Sequence, residues 1–214
     1  VTTEPVTMRA SDAALAIRQR RVIAVLRRIE PRDRLLALVD ELVADGLGIF
    51  EITFDGEDAA ADLTAVGDRV GGAGIVGGGT IRTLGQLHAA IDAGAAFGVS
   101  PVLDREILDT ALAAGLPFVP GAYSPTEIDS AWRAGATFVK LFPGSSLGAG
   151  HVRELRGPLP EVETIVTGGV DASDAAAFLA AGAVAVGIGS ALVRMSRDER
   201  RALVAAAVAP GLDR

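Results

Sequence analysis

The sequence has no cysteine and only two histidines. The first absence excludes disulfides, thiolate nucleophiles and thiolate metal sites. The second leaves a metal-dependent catalyst short of ligands, since His88 falls in a predicted helix and His151 in a predicted loop or helix start, both expected at the surface. No metal and no cofactor are therefore expected. Aromatic residues make up 4% of the chain, so its core has to be filled by Ala, Val, Leu and Ile on closely packed elements, which suits an α/β protein better than a sandwich. No apolar run approaches the roughly 20 residues that a membrane-spanning helix needs. There is no basic arm either. The formal net charge is −7, and Arg18-Gln19-Arg20-Arg21 closes an Ala-rich helical pattern, so nucleic acid is not an expected partner. Residues 1–9 carry no apolar segment of a secretory signal, and the expectation is a soluble cytoplasmic protein.

What the chain does have is a repeated phrase. Its 214 residues, half of them apolar, are enough for a single domain over 1–214. Along them a Gly recurs after a helical pattern and is followed by a short apolar run, at Gly46, Gly94, Gly115, Gly135 and Gly182. Each fits a helix C-terminus in which a residue without Cβ adopts positive φ. These glycines lie 48, 21, 20 and 47 positions apart, so a βα unit occupies about 20–24 residues and two gaps each conceal a further unit. The concealed strands are Ala73 to Val76 and Thr164 to Thr167, and Val22 to Leu26 completes a set of eight. Helix caps at Ser124-Pro125 and at Asp171 fit the segments between. Eight alternating units close most simply into a (β/α)8 TIM barrel, with a doubly wound open sheet as the structural competitor. Residues 11–20 read as an additional N-terminal helix placed to plug the barrel bottom, and residues 1–9 as flexible.

Strands of an all-parallel barrel are continuous apolar runs, so an ionisable residue inside one needs a reason. Two occur: Glu51 within Ile49-Phe50-Glu51-Ile52-Thr53 on strand two, and Lys140 within Phe138-Val139-Lys140-Leu141-Phe142 on strand six. A structural ion pair is the bland reading. The functional one starts from desolvation, which lowers a lysine pKa and leaves more free amine to attack a ketone. The protonated imine so formed withdraws electrons from a neighbouring C–C bond, and Glu51 is available to carry the protons. Arg27, Thr80, Ser100-Pro101, Pro120 and Thr167 stand at other strand ends. Gly168-Gly169 after strand seven and Gly187-Ile188-Gly189-Ser190 after strand eight suit a phosphate, because bare glycines let an anion reach backbone N–H groups. Gly77-Gly78-Gly79-Thr80 is read as a loop that follows strand three and walls the substrate pocket. It lacks the spacing of a dinucleotide-binding loop.

Taken in order, Ala24-Val25-Leu26-Arg27, Glu51-Ile52-Thr53-Phe54, Gly77-Gly78-Gly79-Thr80, Val99-Ser100-Pro101, Pro120-Gly121, Lys140-Leu141-Phe142-Pro143, Thr167-Gly168-Gly169 and Gly187-Ile188-Gly189-Ser190 resemble the 2-keto-3-deoxy-6-phosphogluconate (KDPG) and 4-hydroxy-2-oxoglutarate (KHG) aldolases. The resemblance runs over nearly the whole chain. It implies a class I aldolase in which Lys140 forms a Schiff base with the C2 ketone and Glu51 is the acid/base, giving pyruvate and glyceraldehyde 3-phosphate. It further implies that Thr80 binds the carboxylate, that Phe142 and Pro101 border the lysine, that Thr167, Gly168, Gly169, Gly189 and Ser190 hold the phosphate, and that the protein is a homotrimer. One position departs. Where many members carry an Arg four residues after the Glu, this chain has Asp55, so either Arg27 supplies the positive charge or Asp55 turns to solvent. A galactonate-derived epimer or 4-hydroxy-2-oxoglutarate is an alternative substrate. Outside the aldolases, the rivals are a phosphosugar isomerase or epimerase, in which Lys140 acts only electrostatically, and a non-catalytic phosphometabolite-binding barrel.

Overall fold

The computed structural model describes residues 10–208, so the flexible segment expected at residues 1–9 lies outside them. The chain opens with α1 (Ala10–Arg20), β1 (Val22–Leu26), α2 (Arg32–Ala44), β2 (Ile49–Thr53), α3 (Ala59–Val70), β3 (Ile75–Gly79), α4 (Leu84–Asp92), β4 (Gly98–Val99) and α5 (Arg105–Ala113). It continues through β5 (Phe118–Val119), β6 (Gly121–Ala122), α6 (Pro125–Arg133), β7 (Val139–Leu141), α7 (Gly144–Leu155), β8 (Thr164–Thr167), α8 (Ala172–Ala181), β9 (Ala185–Ile188), α9 (Ser190–Arg194) and α10 (Arg197–Val208).

All strand pairings are parallel, and the sheet order is β5-β4-β3-β2-β1-β9-β8-β7-β6. Its two ends, β5 and β6, are halves of one strand interrupted at Pro120, which has no N–H to give a ladder. The first half pairs with β4 and the second with β7, and the Lys140 N–H donates to the Pro120 carbonyl at 2.9 Å across the join. The sheet therefore closes on itself as a (β/α)8 TIM barrel and not as an open doubly wound sheet.

The repeated phrase has a physical basis. Gly46, Gly94, Gly115, Gly135 and Gly182 all have positive φ, between 72° and 108°. In each, the glycine N–H bonds three residues back and the next N–H five residues back, as with Gly94 to Ile91 and Ala95 to Ala90. That pattern is the Schellman termination, which releases the chain straight into the next strand.

Side chains alternate between two apolar layers. Phe50, Ile52, Phe118, Val139, Val166 and Val186 face the helices. Ile23, Ile49, Ile75, Phe97, Val99, Val119, Phe138, Ile165 and Ala185 fill the barrel interior, where Ala13, Ala14 and Ile17 of α1 join them as the expected plug. At the same lower end the carboxylate of Asp45, fully buried, accepts bonds from Arg197 and Arg200 and ties α10 to the end of α2.

The third strand differs from expectation. It runs over Ile75–Gly79, so Gly77, Gly78 and Gly79 belong to the strand and do not form a loop after it, while Gly71–Ala73 form a 3₁₀ turn. The reason lies on the neighbouring strands. A Cβ on Gly77 would sit 2.5 Å from the Phe97 ring, and one on Gly79 would run into the Glu51 carboxylate. Glycine here makes room for neighbours that are remote in sequence. The last strand likewise takes in Gly187 and Ile188, where a Cβ on Gly187 would meet Thr167.

These two clashes separate stability from activity. Gly77→Ala presses on a ring fixed in the barrel floor and is expected to cost about 1–3 kcal/mol. Gly79→Ala is expected to push Glu51 aside at smaller cost in stability, with turnover lowered about 10²-fold. Thermal unfolding and turnover measured on both variants check the contrast.

Candidate active site

Lys140 and Glu51 sit at the middle of β7 and β2, where the apolar barrel interior meets its open end. Glu51 lies in register with Val25 and Gly77, and Lys140 with Gly121 and Ile165. Strand alternation turns both inward. Below them lie Ile49, Phe97, Val119, Phe138 and Ile165. Both are buried, Glu51 at 1% exposure and Lys140 at 6%. Burial lowers the Lys140 pKa from its ordinary value; Glu51 opposes that shift and Arg27 reinforces it. Burial raises Glu51, against the pull of Lys140 and Arg27.

The two groups form no salt bridge with each other among the described residues, and Glu51 Oε1 is buried with no hydrogen-bond partner. The structural ion pair of the bland reading is not formed as a direct contact, although each charge offsets part of the other's burial. The Lys140 Nζ lies 5.1 Å from the centroid of the Phe142 ring.

These side chains open into one cavity of about 570 Å³, whose walls include Arg27, Glu51, Lys140, Phe142, Thr167, Gly168, Gly169, Gly189 and Ser190. Gly168 and Gly169 are successive residues at φ +88° and +71°. A Cβ on the first would press on Phe142 and on the second on Ser145, so both must remain bare for the loop to fold over the pocket. Gly189 offers no side chain to cap α9. The N-terminus of α8, by contrast, is already satisfied by Asp171, whose Oδ1 accepts from the Ser173 and Asp174 N–H groups. The start of α9, without a side-chain cap, is the barer of the two helix ends. Thr167 Oγ1 is another buried polar atom of this cavity with no protein partner.

Arg27 rises from the end of β1. Its guanidinium donates to Asp55 Oδ2 at 2.6 Å and to Thr80 Oγ1 at 2.9 Å. Of the two expectations for Asp55, the turn to solvent is wrong: the carboxylate is less than a quarter exposed and holds Arg27. Partial burial pushes the Asp55 carboxyl up, but the Thr53 hydroxyl and the Arg27 and Arg28 charges outweigh it and hold the group below its ordinary value. Thr80 reaches the site through Arg27. Pro101 lies outside this cavity, on a neighbouring depression with Val102, Leu103, Gly121, Ala122 and Tyr123, and Phe142 stands between the two.

Sequence reasoning passed over Arg194, which lines the Gly189-Ser190 end of the cavity. Its signal was local: it follows Ser190 by four residues on α9, which puts both on one face. His151 lies in the first turn after the non-helical Gly148 that breaks α7, a helix start as expected, but it is half-buried with Nε2 buried and unpartnered, not a plain surface residue. His88, on α4, is exposed as expected. Among the described residues no group of three or more His, Cys, Asp or Glu is placed to hold a metal, and no helix is long and apolar enough to cross a membrane.

The chain is similar to known proteins over most of its length. The family model described as KDPG and KHG aldolase matches residues 14–206. The chain is 32% identical over 188 residues to the 2-dehydro-3-deoxy-6-phosphogalactonate aldolase of Escherichia coli (strain K12), covering 87% of this chain and 91% of that one. It is 32% identical over 166 residues to the 2-dehydro-3-deoxy-phosphogluconate aldolase of Treponema pallidum, covering 77% and 78%. In structure it resembles the KDPG aldolase of Legionella pneumophila with pyruvate captured as a covalent carbinolamine intermediate, with a TM-score of 0.78, 25% identity and coverage of 92% and 96%.

Proposed function

We propose that Lys140 is the imine-forming lysine and Glu51 the proton carrier of this enzyme, on the premise that the chain belongs to the KDPG and KHG aldolase family. The observation that carries the assignment is a buried lysine and a buried glutamate in one cavity with no salt bridge between them. Such groups are costly to the fold, and a ligand that reacts with both of them explains their presence.

The chemistry follows from the two environments. The desolvated Lys140 amine attacks the C2 ketone of a 2-keto-3-deoxy-6-phospho sugar acid, and water leaves through the carbinolamine to give a protonated imine. Glu51, whose raised pKa suits it to hold and release a proton, takes the proton of the C4 hydroxyl. The C3–C4 bond then breaks and its electron pair moves into the imine as an enamine, while glyceraldehyde 3-phosphate departs. Protonation at C3 and hydrolysis free pyruvate and restore the Lys140 amine. Every step reverses. No cofactor or metal enters the scheme.

Arg27 and Thr80 serve the carboxylate in this reading. The backbone of Gly168, Gly169, Gly189 and Ser190, with Thr167, receives the phosphate, and Arg194 adds a positive charge at that end. Pro101 contributes only by backing the wall behind Phe142. The C4 epimer derived from galactonate is a second substrate, favoured by the Escherichia coli relative. An isomerase or epimerase has no such support. We further propose a homotrimer working in the cytoplasm; the exposed Val102, Tyr123 and Phe142 around one depression offer an apolar face for another copy.

The test is pyruvate release from both C4 epimers, each with and without the 6-phosphate, and from 4-hydroxy-2-oxoglutarate. A phosphorylated sugar acid is expected to have the highest kcat/KM, with loss of the phosphate lowering it at least about tenfold, as expected for losing charge-assisted bonds. Indifference to the phosphate overturns the glycine-loop assignment.

A further inference from the structure

We infer that Asp55 is a positioning residue: it fixes the Arg27 guanidinium over the Lys140–Glu51 pair, so that Arg27 and the Thr80 hydroxyl meet the carboxylate of the 2-keto acid as one preformed clamp. This rests on the imine reading above and adds to it a residue that touches neither the substrate nor the reacting atoms.

An arginine at a barrel mouth is long and half exposed, and it pays in rotamer freedom for any single orientation. Here both terminal nitrogens are pinned, one by Asp55 at 2.6 Å and the other by Thr80 at 2.9 Å. Two of the five N–H bonds of a guanidinium are thereby used, and the rest remain for a ligand. Because Thr80 Oγ1 accepts from Arg27, its own hydroxyl proton stays available as a further donor.

Asp55 is itself held by a second arginine. Arg28 donates to the Asp55 carbonyl at 2.7 Å and brings its Nε within 3.4 Å of Oδ2, the oxygen that Arg27 also holds, while Oδ1 is buried without a protein partner. The charges of Arg27, Arg28 and Asp55 sum to one positive. A carboxylate in the loop therefore neutralises one cation without reversing the field that an anionic ligand meets.

The backbone supplies a second, independent observation. Among the described residues only Arg21, Arg28 and Thr80 are non-glycine positions with positive φ, and two of these three belong to this network, at 48° and 57°. Left-handed backbone is costly for a bulky or β-branched residue and persists where surrounding contacts over-determine it. Arg28 is turned back onto Asp55 and Thr80 onto Arg27, so the strain is spent on the clamp. Arg27 also favours the free amine of Lys140, which links the clamp to the chemistry below it.

The experiment is a double-mutant cycle on Asp55→Ala, Arg27→Ala and the pair, with Asp55→Glu as the conservative variant. It is read by steady-state cleavage of the phosphorylated 2-keto acid and by the pyruvate concentration that half-saturates borohydride trapping. Asp55→Ala is expected to raise KM and the half-saturating pyruvate about tenfold while kcat falls far less, and Asp55→Glu to recover part of the loss. In the Arg27→Ala background, Asp55→Ala is expected to change nothing further, because it acts only through Arg27. Unchanged half-saturation in Asp55→Ala, or losses that add across the cycle, overturns the inference and leaves the imine reading intact. A wild-type enzyme that traps no pyruvate overturns both.

Discussion

Lys140→Met is expected to lower kcat by at least about 10⁴-fold, because it removes the only nucleophile in the scheme and leaves a bound substrate with no route to an electron sink. The size of the loss follows from the sequence and the cavity: Lys140 is the one lysine in the 214 residues, and Arg27 and Arg194 stay protonated and cannot attack a ketone. The same replacement tests the cost of the site. With its pKa lowered by burial, folded Lys140 binds fewer protons than the unfolded chain below the ordinary lysine value of about 10.4. Its contribution to stability is therefore unfavourable at neutral pH and recovers as pH climbs from the lowered value toward the ordinary one. Methionine, similar in length and without charge, removes that penalty. The unfolding temperature at pH 7 is expected to rise, more so when Glu51→Gln removes the second desolvated group, and the gain is expected to shrink at alkaline pH. Calorimetry at neutral and alkaline pH reads the difference. An inactive variant that is also less stable at pH 7 would show that Lys140 supports the fold, contrary to the burial argument.

Glu51→Gln carries the second large effect. It keeps the shape of the side chain beside Gly79 but cannot carry a proton, and kcat is expected to fall about 10²–10⁴-fold. Imine formation is expected to survive this change, so borohydride with pyruvate still modifies Lys140 in Glu51→Gln, more slowly than in the wild type. Loss of turnover with retention of trapping separates the proton carrier from the nucleophile. If Glu51→Gln retains full turnover, the proton moves by another route and the role of Glu51 is wrong.

Much of this site could be read from the chain because a barrel strand is an uninterrupted apolar run, and Glu51 and Lys140 each interrupt one. β1 and β2 fall where the apolar runs place them, and the five phrase glycines fall at the helix ends their spacing implies. Features that depend on distant partners were harder to see. Gly77 and Gly79 look like a loop because glycine weakens a strand, and only the fold shows that Phe97 and Glu51 occupy the space their side chains would take. Pro120 was visible as a strand end, but its splitting of the fifth strand between two neighbours shows only when the barrel closes.

Asp55 looked anomalous because a carboxylate stands where a cation was expected, while its partner Arg27, and Thr80 beyond that arginine, lie 28 and 25 positions away at the ends of other strands. The Asp45 network was hidden for the same reason, since its arginines come from more than 150 positions further along the chain. Arg194 is different. Its helical spacing from Ser190 was available, but its charge had no evident role until the two glycine loops were brought together around it.

The most direct measurement of the central claim is reductive trapping. The wild-type enzyme is treated with borohydride in the presence of pyruvate, digested, and its peptides are mapped by mass. The account predicts one added carboxyethyl group, on Lys140, that appears only when pyruvate is present and blocks turnover in step with its extent. An unmodified Lys140 under conditions where the enzyme turns over would contradict it.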